Sequence, residues 1–385
     1  MVINDSSLTN EIAPVIRKID DAFVVWFPNG NQYLRLEEPA FFVFQGYEKG
    51  LNSDIIANQC AERYQIPEDE CLQFVIEIIN GIDAIRQNPV INEPDCTKNT
   101  ELQTKSFSLY SVHKYIIGEK LLQFHFETRL YEHYLHPLLQ HLETEICPTE
   151  PFLFELFGHN GKIVLRVNKQ VKGMWNEDET HLLNGMASLQ ILNAIYEKKD
   201  HDWMAIIHAS AVTNGTKTIA FTASPGSGKS TMAAMLQQKG FTLVSDDFVP
   251  LERVTQHVFP FPAAMSVKGG ATELLSALYP SLQKQEEAQL SRTNKLVRYL
   301  PVEGKALPTP VKEIIFIKYD PVVDFELEKV PRLEALKMLL DETWTSPSPE
   351  NASQFLDWYC EVSCYRLTYS NNQKALQSIS ELFER

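Results

Sequence analysis

The stretch IAFTASPGSGKST, Ile219–Thr231, ends an apolar run in a glycine-rich turn that carries one lysine and two hydroxyls. Strand, glycine-rich loop and helix, in that order, are the context that a nucleotide phosphate loop requires. The usual pattern is G-x-x-x-x-G-K-[ST], with Ala223 here at its first position. Gly226 and Gly228 supply the permissive backbone where the chain must turn. Ser224, Pro225, Gly226, Ser227, Gly228, Lys229, Ser230 and Thr231 then form the expected nucleotide cradle. Its backbone N–H groups and the start of the following helix favour an anion. Lys229 brings a full charge for the β- and γ-phosphates, and the Ser230 hydroxyl suits Mg²⁺. Thr231 reads as a helix-start residue. Beyond the helix, FTLVSDD ends a strand in two carboxylates, Asp246 and Asp247. Neighbours on a strand point to opposite faces, so both approach one metal only if the strand has ended and turned. Different tasks follow, one carboxylate anchoring the magnesium hydration shell and the other accepting the proton of an attacking hydroxyl. The alternative is a solvated strand end.

The elements that position these residues are legible around them. IIHASAV and TKTIAFT flank Asn214-Gly215, a strong hairpin signal. KSTMAAMLQQK is helical and stops at Gly240. A chain of 385 residues exceeds one compact core, and the breaks predict residues 1–88 as one domain, 89–106 as a linker and 107–385 as a second domain. The linker, with QNPVINEPDCTKNT at its heart, has few large apolar residues and no period. Before it, VIRKIDDAFVVWF and NQYLRL read as a hairpin about Pro28, Asn29 and Gly30, followed by three helices. Asn52 or Ser53 caps the second helix and Pro67 opens the third. This is the outline of a winged-helix unit.

Other classes are disfavoured. A net charge of -15 opposes a nucleic-acid surface, and no segment has membrane-spanning length, so a cytoplasmic protein with no membrane partner is expected. The six cysteines lack C-x-x-C pairs, and Cys360 and Cys364 read as independent packed thiols. In QFHFETRLYEHYLHPLLQHLETE, His133 and His136 lie near His125, Glu132 and His141. The H-E-x-x-H pattern of a zinc protease is absent, and these read as polar positions of an amphipathic helix whose other face carries Tyr131, Leu135, Leu138 and Leu142.

IIHASAV, ASPGSGKSTMAAMLQQKGFTLVSDDFVPLE and FPAAMSVKGGATELLSAL resemble, in order and spacing, the C-terminal catalytic domain of HPr serine kinase/phosphorylase and its kinase relatives, over about Met204 to Leu275. The resemblance implies a mixed α/β catalytic domain of the P-loop, HPr kinase-like type. It implies ATP and Mg²⁺, Asp246 as catalytic base, Asp247 nearer the metal with Ser230, Lys229 on the phosphates, and His208 as an active-site histidine near the acceptor. Thr231 stands where the bifunctional enzymes carry glutamate, and Ser266, Val267, Lys268 and Gly269 replace their E-x-R-G. Lys268 remains a candidate phosphate contact, whereas the phosphorylase direction and HPr as acceptor are not expected. The family often forms rings, so a homo-oligomer is compatible with it. About Ile12 to Arg86, through NQYLRLEEPAFFVF, the chain resembles the PqqD-like family, which implies capture of a peptide as an added strand beside Asn31–Leu36 and a helix bearing Phe74, Ile78 and Ile82. A winged-helix packing module is the alternative. Together the two resemblances imply a kinase acting on a serine or other hydroxyl of a precursor peptide or small protein. A kinase of a free small molecule, a carboxykinase, and a nucleotide-binding regulatory protein with degenerate catalysis are the other readings.

Overall fold

The computed structural model describes residues 12–87, 100–147, 150–285, 288–289, 296–302 and 304–385. It divides into two compact units. The first reaches from the N-terminal region to Asn92 and also takes in Thr345–Cys360, sixteen residues that the sequence reading assigned to the other half. The second comprises Glu93–Trp344 and Glu361–Arg385. Both are mixed α/β, and no described helix is long and apolar enough to cross a membrane.

In the first unit the apolar run divides at Asp20-Asp21 into β1 (Val15–Ile19) and β2 (Ala22–Phe27), and β3 (Gln32–Leu36) completes an antiparallel meander. Asp20 adopts φ 52°, which closes the first turn. The helices α1 (Glu38–Glu48), α2 (Ser53–Tyr64) and α3 (Glu68–Gln87) follow, and the Asn52 side chain caps α2 by accepting from Ile55 N–H at 2.9 Å. Val25, Phe27 and Leu36 bury against Phe41, Phe44 and Ile82. The helix Pro349–Cys360 packs on the same small sheet. Tyr33 meets Phe355, Arg17 pairs with Asp357 at 2.7 Å, and Asn31 donates to the Thr345 carbonyl at 2.7 Å.

The second unit begins inside the expected linker. Residues 89–99 lie outside the described residues, but α4 (Thr100–Thr104) is a helical turn with Leu102 fully buried. Arg166 accounts for this order. Its guanidinium donates to the carbonyls of Leu102 and Lys105 and forks onto Glu155. A buried arginine is costly unless every donor finds an acceptor, and this one recruits the end of α4. A five-stranded sheet runs in the order β4 (Ser111–Ile117), β5 (Lys120–Phe126), β6 (Phe152–His159), β7 (Lys162–Val167) and β8 (Gln170–Trp175). It packs on α5 (Arg129–Leu139) and α6 (Thr180–Tyr196).

The segment from Gln123 is therefore not one long helix. Gln123–Phe126 belongs to β5, and α5 stops soon after Pro137, which has no N–H to continue the helix. Tyr134, Leu135 and Leu139 form its buried side, with Tyr131, Leu138 and Leu142 packed around them.

The remaining strands build a mixed sheet that carries the glycine-rich loop. They are β9 (Trp203–Ile207), β10 (Ala209–Thr213), β11 (Thr218–Thr222), β12 (Thr242–Ser245), β13 (Val249–Glu252) and β14 (His257–Val258). A separate small sheet contains β15 (Met265–Lys268), β16 (Ala288–Gln289) and β17 (Leu296–Leu300). The long β18 (Thr309–Tyr319) runs parallel to β11 on one side and to the strand Ser363–Tyr369 on the other, with β19 (Phe325–Lys329) beyond. Helix α7 (Lys229–Gln237) lies over β10 and β11, burying Met232, Ala233 and Leu236 against Val212, Ile219 and Phe221.

Candidate functional site

Every residue of β11 is buried, which fixes where the following turn emerges. The chain leaves at Ala223, turns through Gly226 at φ 94° and Gly228 at φ 103°, and enters α7 with Gly228 as its N-cap. Side chains are strained at such angles, so glycine is required at both points. Ala223 is not among the residues with positive φ, and alanine is accommodated there. The turn is braced from within, because Ser227 Oγ donates to the Ser224 carbonyl at 2.8 Å. It is also braced from the sheet, since Tyr319 N–H donates to the Ser227 carbonyl at 3.0 Å. Ser224, Pro225 and Gly226 form an exposed lip. Behind it, the first N–H groups of α7 lack intrahelical acceptors.

Lys229 is buried, with 5% of its surface exposed, and its ammonium donates to the Ala223 carbonyl at 2.6 Å. Burial pulls its pKa below the usual lysine value, against the opposing pull of Asp247, Glu342 and Asp246. Lys268, at the end of β15, adds a like charge that acts in the same direction as burial. Thr231 lies in the first turn of α7.

Asp246 is the centre of the arrangement. Ala211 on β10 pairs with Ser245 on β12, so the adjacent positions bring Ser210 beside Asp246. Ser210 and Ser230 both donate to Asp246 Oδ1, the latter at 2.9 Å, while buried Oδ2 has no hydrogen-bond partner. Burial, with repulsion from Asp247, pushes this carboxyl up to about 7, against the opposing effect of the two serines and Lys229. The result is a carboxyl poised near neutrality with one oxygen committed and one uncommitted.

Asp246 and Asp247 fall just after β12 has ended. Asp247 adopts φ 61°, and Ser245 Oγ donates to the Phe248 carbonyl to close the bend. Asp247 Oδ1 then stands 3.9 Å from His208 Nε2. His208 is not within a strand but occupies the break between β9 and β10, where its N–H donates to the Glu342 carbonyl at 2.8 Å. Its own carbonyl accepts from Thr222 at the foot of the glycine-rich loop. Ser230 therefore meets Asp246, whereas Asp247, expected with Ser230 at the metal, is set opposite His208. Lys229, Ser230, Asp246, Asp247 and His208 converge from three separate stretches of chain.

Three residues were not singled out in the sequence. Ser210 lies between two alanines in β10, and its importance depends on pairing with β12, which local pattern does not reveal. Tyr319, half exposed, ends β18 beside the loop, with its Cβ 3.7 Å from where a Cβ on Gly228 would stand. Glu342 acts on Lys229 through charge.

The donor set fits a nucleotide with Mg²⁺. The cradle has a cation behind it, a hydroxyl at its helix start, and a second carboxylate beside an unpartnered buried carboxyl oxygen. A surface depression of 550 Å³, lined by Lys172, Gln190, Asn193, Lys198 and His201 among others, contains no residue of this set. No family model matches the chain, and no curated protein matches it.

Proposed function

We propose that the second unit is an ATP-dependent kinase of the HPr kinase-like type, transferring the γ-phosphoryl group to a serine or other hydroxyl of a precursor peptide or small protein. The observation that carries the reading is the buried Asp246, held at one oxygen by Ser210 and Ser230, with its other oxygen uncommitted at the edge of the glycine-rich cradle. On this reading Gly226–Thr231 bind the phosphates through backbone N–H groups and Lys229 balances their charge. To reach them, the ammonium exchanges the Ala223 carbonyl for phosphate oxygens, a gain for a cation now held by a neutral partner. Ser230 and Asp247 are the groups that would hold Mg²⁺, which when bound offsets phosphate charge as transfer proceeds. Asp246 Oδ2 takes the acceptor hydroxyl's proton as that oxygen bonds to phosphorus and the bond to the leaving ADP breaks. His208 lies beyond Asp247 and orients that carboxylate and the acceptor, and Lys268 supplies a further charge for phosphate.

The first unit, with the layout of a PqqD-like winged-helix module, holds the acceptor peptide along β3, raising its local concentration at a site with little sequence preference of its own. Mass spectrometry of candidate acceptors incubated with ATP and magnesium tests transfer. A gain of one phosphate with the native protein, and none with Asp246→Asn, is expected. Hydrogen exchange tests the tether: a bound acceptor should protect amides of Gln32–Leu36, and unchanged exchange there would remove the first unit from the proposal. A nucleotide-binding regulator with degenerate catalysis is the second reading, favoured by Thr231 and Ser266 at positions that are acidic in the bifunctional enzymes. Intact ATP binding without any transfer would select it.

A further inference from the structure

Away from the glycine-rich loop, the second unit gathers a different set of ligating side chains. His113 lies on β4, Glu132 and His136 on α5, and Glu143 just beyond the turn that ends it. One ligand atom from each of His113, His136 and Glu143 lies within 4.8 Å of the other two. The sequence offered only half of this, because His113 stands nineteen residues before Glu132 and on a strand.

The outer contacts are what distinguish the cluster from a chance meeting of polar groups. His113 Nε2 is hydrogen-bonded to Glu132, and His136 Nδ1 to the Tyr115 hydroxyl at 2.7 Å. Each imidazole thus has one nitrogen fixed by an oxygen partner, as histidine ligands to metals require for their tautomer and ring orientation. The nitrogens left over are His113 Nδ1 and His136 Nε2. Glu143 Oε1 already stands at His113 Nδ1, 2.5 Å away. Its position is set by backbone, since the residue bridges Tyr115 and Thr144 N–H donates to the Lys114 carbonyl. The two rings stack with centroids 4.0 Å apart, and the His113 side chain is 16% exposed. Two carboxylates and two half-buried imidazoles make a locally anionic site that a cation would neutralise.

We infer that His113 Nδ1, His136 Nε2 and a Glu143 carboxylate oxygen form a three-ligand site for a divalent cation of the zinc class, with Glu132 and Tyr115 as its outer partners. Two nitrogens and one oxygen suit zinc better than the hard cations magnesium and calcium, which prefer oxygen alone. The ion takes the place of the proton shared by His113 and Glu143, and that proton passes to solvent. Its effect is to fasten β4, α5 and the segment at Glu143 together.

Titration calorimetry of the full chain with zinc chloride tests the site, alongside melting temperature with and without zinc. Binding at one equivalent and a rise in Tm are expected. His136→Gln and His113→Asn should each lose the tight event, and Glu132→Gln should weaken it by about 10–100-fold. Cobalt titration gives a second readout, with visible absorption in the native chain and none in His136→Gln. Cys147→Ser should leave both unchanged, which separates this site from capture by the exposed thiol bonded to Lys114. Unaltered zinc affinity in both histidine variants, loss of binding in Cys147→Ser, or no zinc binding by the native chain would each overturn the assignment. Retained ATP or tripolyphosphate binding in the variants shows that the fold survives, and it leaves the kinase proposal independent of the outcome.

Discussion

A carboxyl with one oxygen satisfied by two serines and the other unpartnered is held in two minds about its proton. Asp246 is raised from 3.8 to about 7 chiefly by burial, so the folded state favours the protonated form. The stabilisation from that proton is complete below the ordinary aspartate value, and it is lost as pH rises towards and through about 7. Asp246→Asn should therefore melt a few degrees above the native protein at pH 8 and at nearly the same temperature at pH 4, as calorimetry would read. Activity has the opposite dependence, because the base works ionised. The proposed reaction should show kcat/KM rising with pH through about 7, and Asp246→Asn should lower it by about 10²–10⁴-fold while leaving ATP binding intact. Ser210 favours the ionised form, so Ser210→Ala should move the rising limb upward by about one pH unit, and Ser210→Thr should restore it. An unmoved limb would make Ser210 a packing residue only. Lys229 and Ser230 were legible because the loop motif specifies its own residue types. Ser210 was not, since its role arises from a strand pairing across 36 positions of sequence.

At the scale of elements, the loop is shaped by where β11 and β18 stop. β11 ends at Thr222 opposite Phe316, and β18 continues to Tyr319, forming a wall beside the turn. Two substitutions separate the parts of this arrangement. Gly228→Ala places a Cβ at φ 103°, where the nearest atoms are at ordinary contact distance, so the cost is conformational. About 1–2 kcal/mol of strain should weaken tripolyphosphate and ATP alike, by roughly 5–30-fold in a binding assay. Tyr319→Ala instead removes an exposed ring from beside the cradle, and under the proposed function it should weaken ATP while sparing tripolyphosphate. Equal losses for both ligands would assign Tyr319 to loop support. The hairpin at Asn214-Gly215 and the helix after the loop were legible because their signals are local. The strand β4 and the short α4 were not. α4 is held by Arg166, and its ordering depends on a buried guanidinium 61 or more residues away. Removing that guanidinium by Arg166→Ala should destabilise the second unit by about 3–5 kcal/mol, measurable by denaturant unfolding, because Glu155 would remain buried and uncompensated.

For the whole molecule, the sequence marked the region near residue 90 as a division but did not mark Thr345–Cys360 as part of the first unit. The reason is physical. The apolar pattern of Phe355, Leu356, Trp358 and Tyr359 tells that a helix is buried, and nothing in it names the surface that receives it. The small sheet β1–β3 likewise showed which residues alternate but not that Tyr33 and Arg17 await a helix from three hundred residues later. A chain cut before Thr345 should consequently lose more than its own last residues. Its first unit should exchange amide hydrogens faster at β1 and β3 than the full chain does, while α2, capped by Asn52, keeps its protection.

The same interleaving imposes an order on biosynthesis. The ribosome delivers β1 and β3 early and the helix that covers them only after some 310 further residues, roughly 15–60 s later at about 5–20 residues per second. During that interval the nascent sheet carries an uncovered apolar face, a state that invites a chaperone or a premature partner. The first unit is therefore completed only after residues 93–344 of the second unit have been made, so its closure reports that the segment carrying the glycine-rich loop has already left the ribosome.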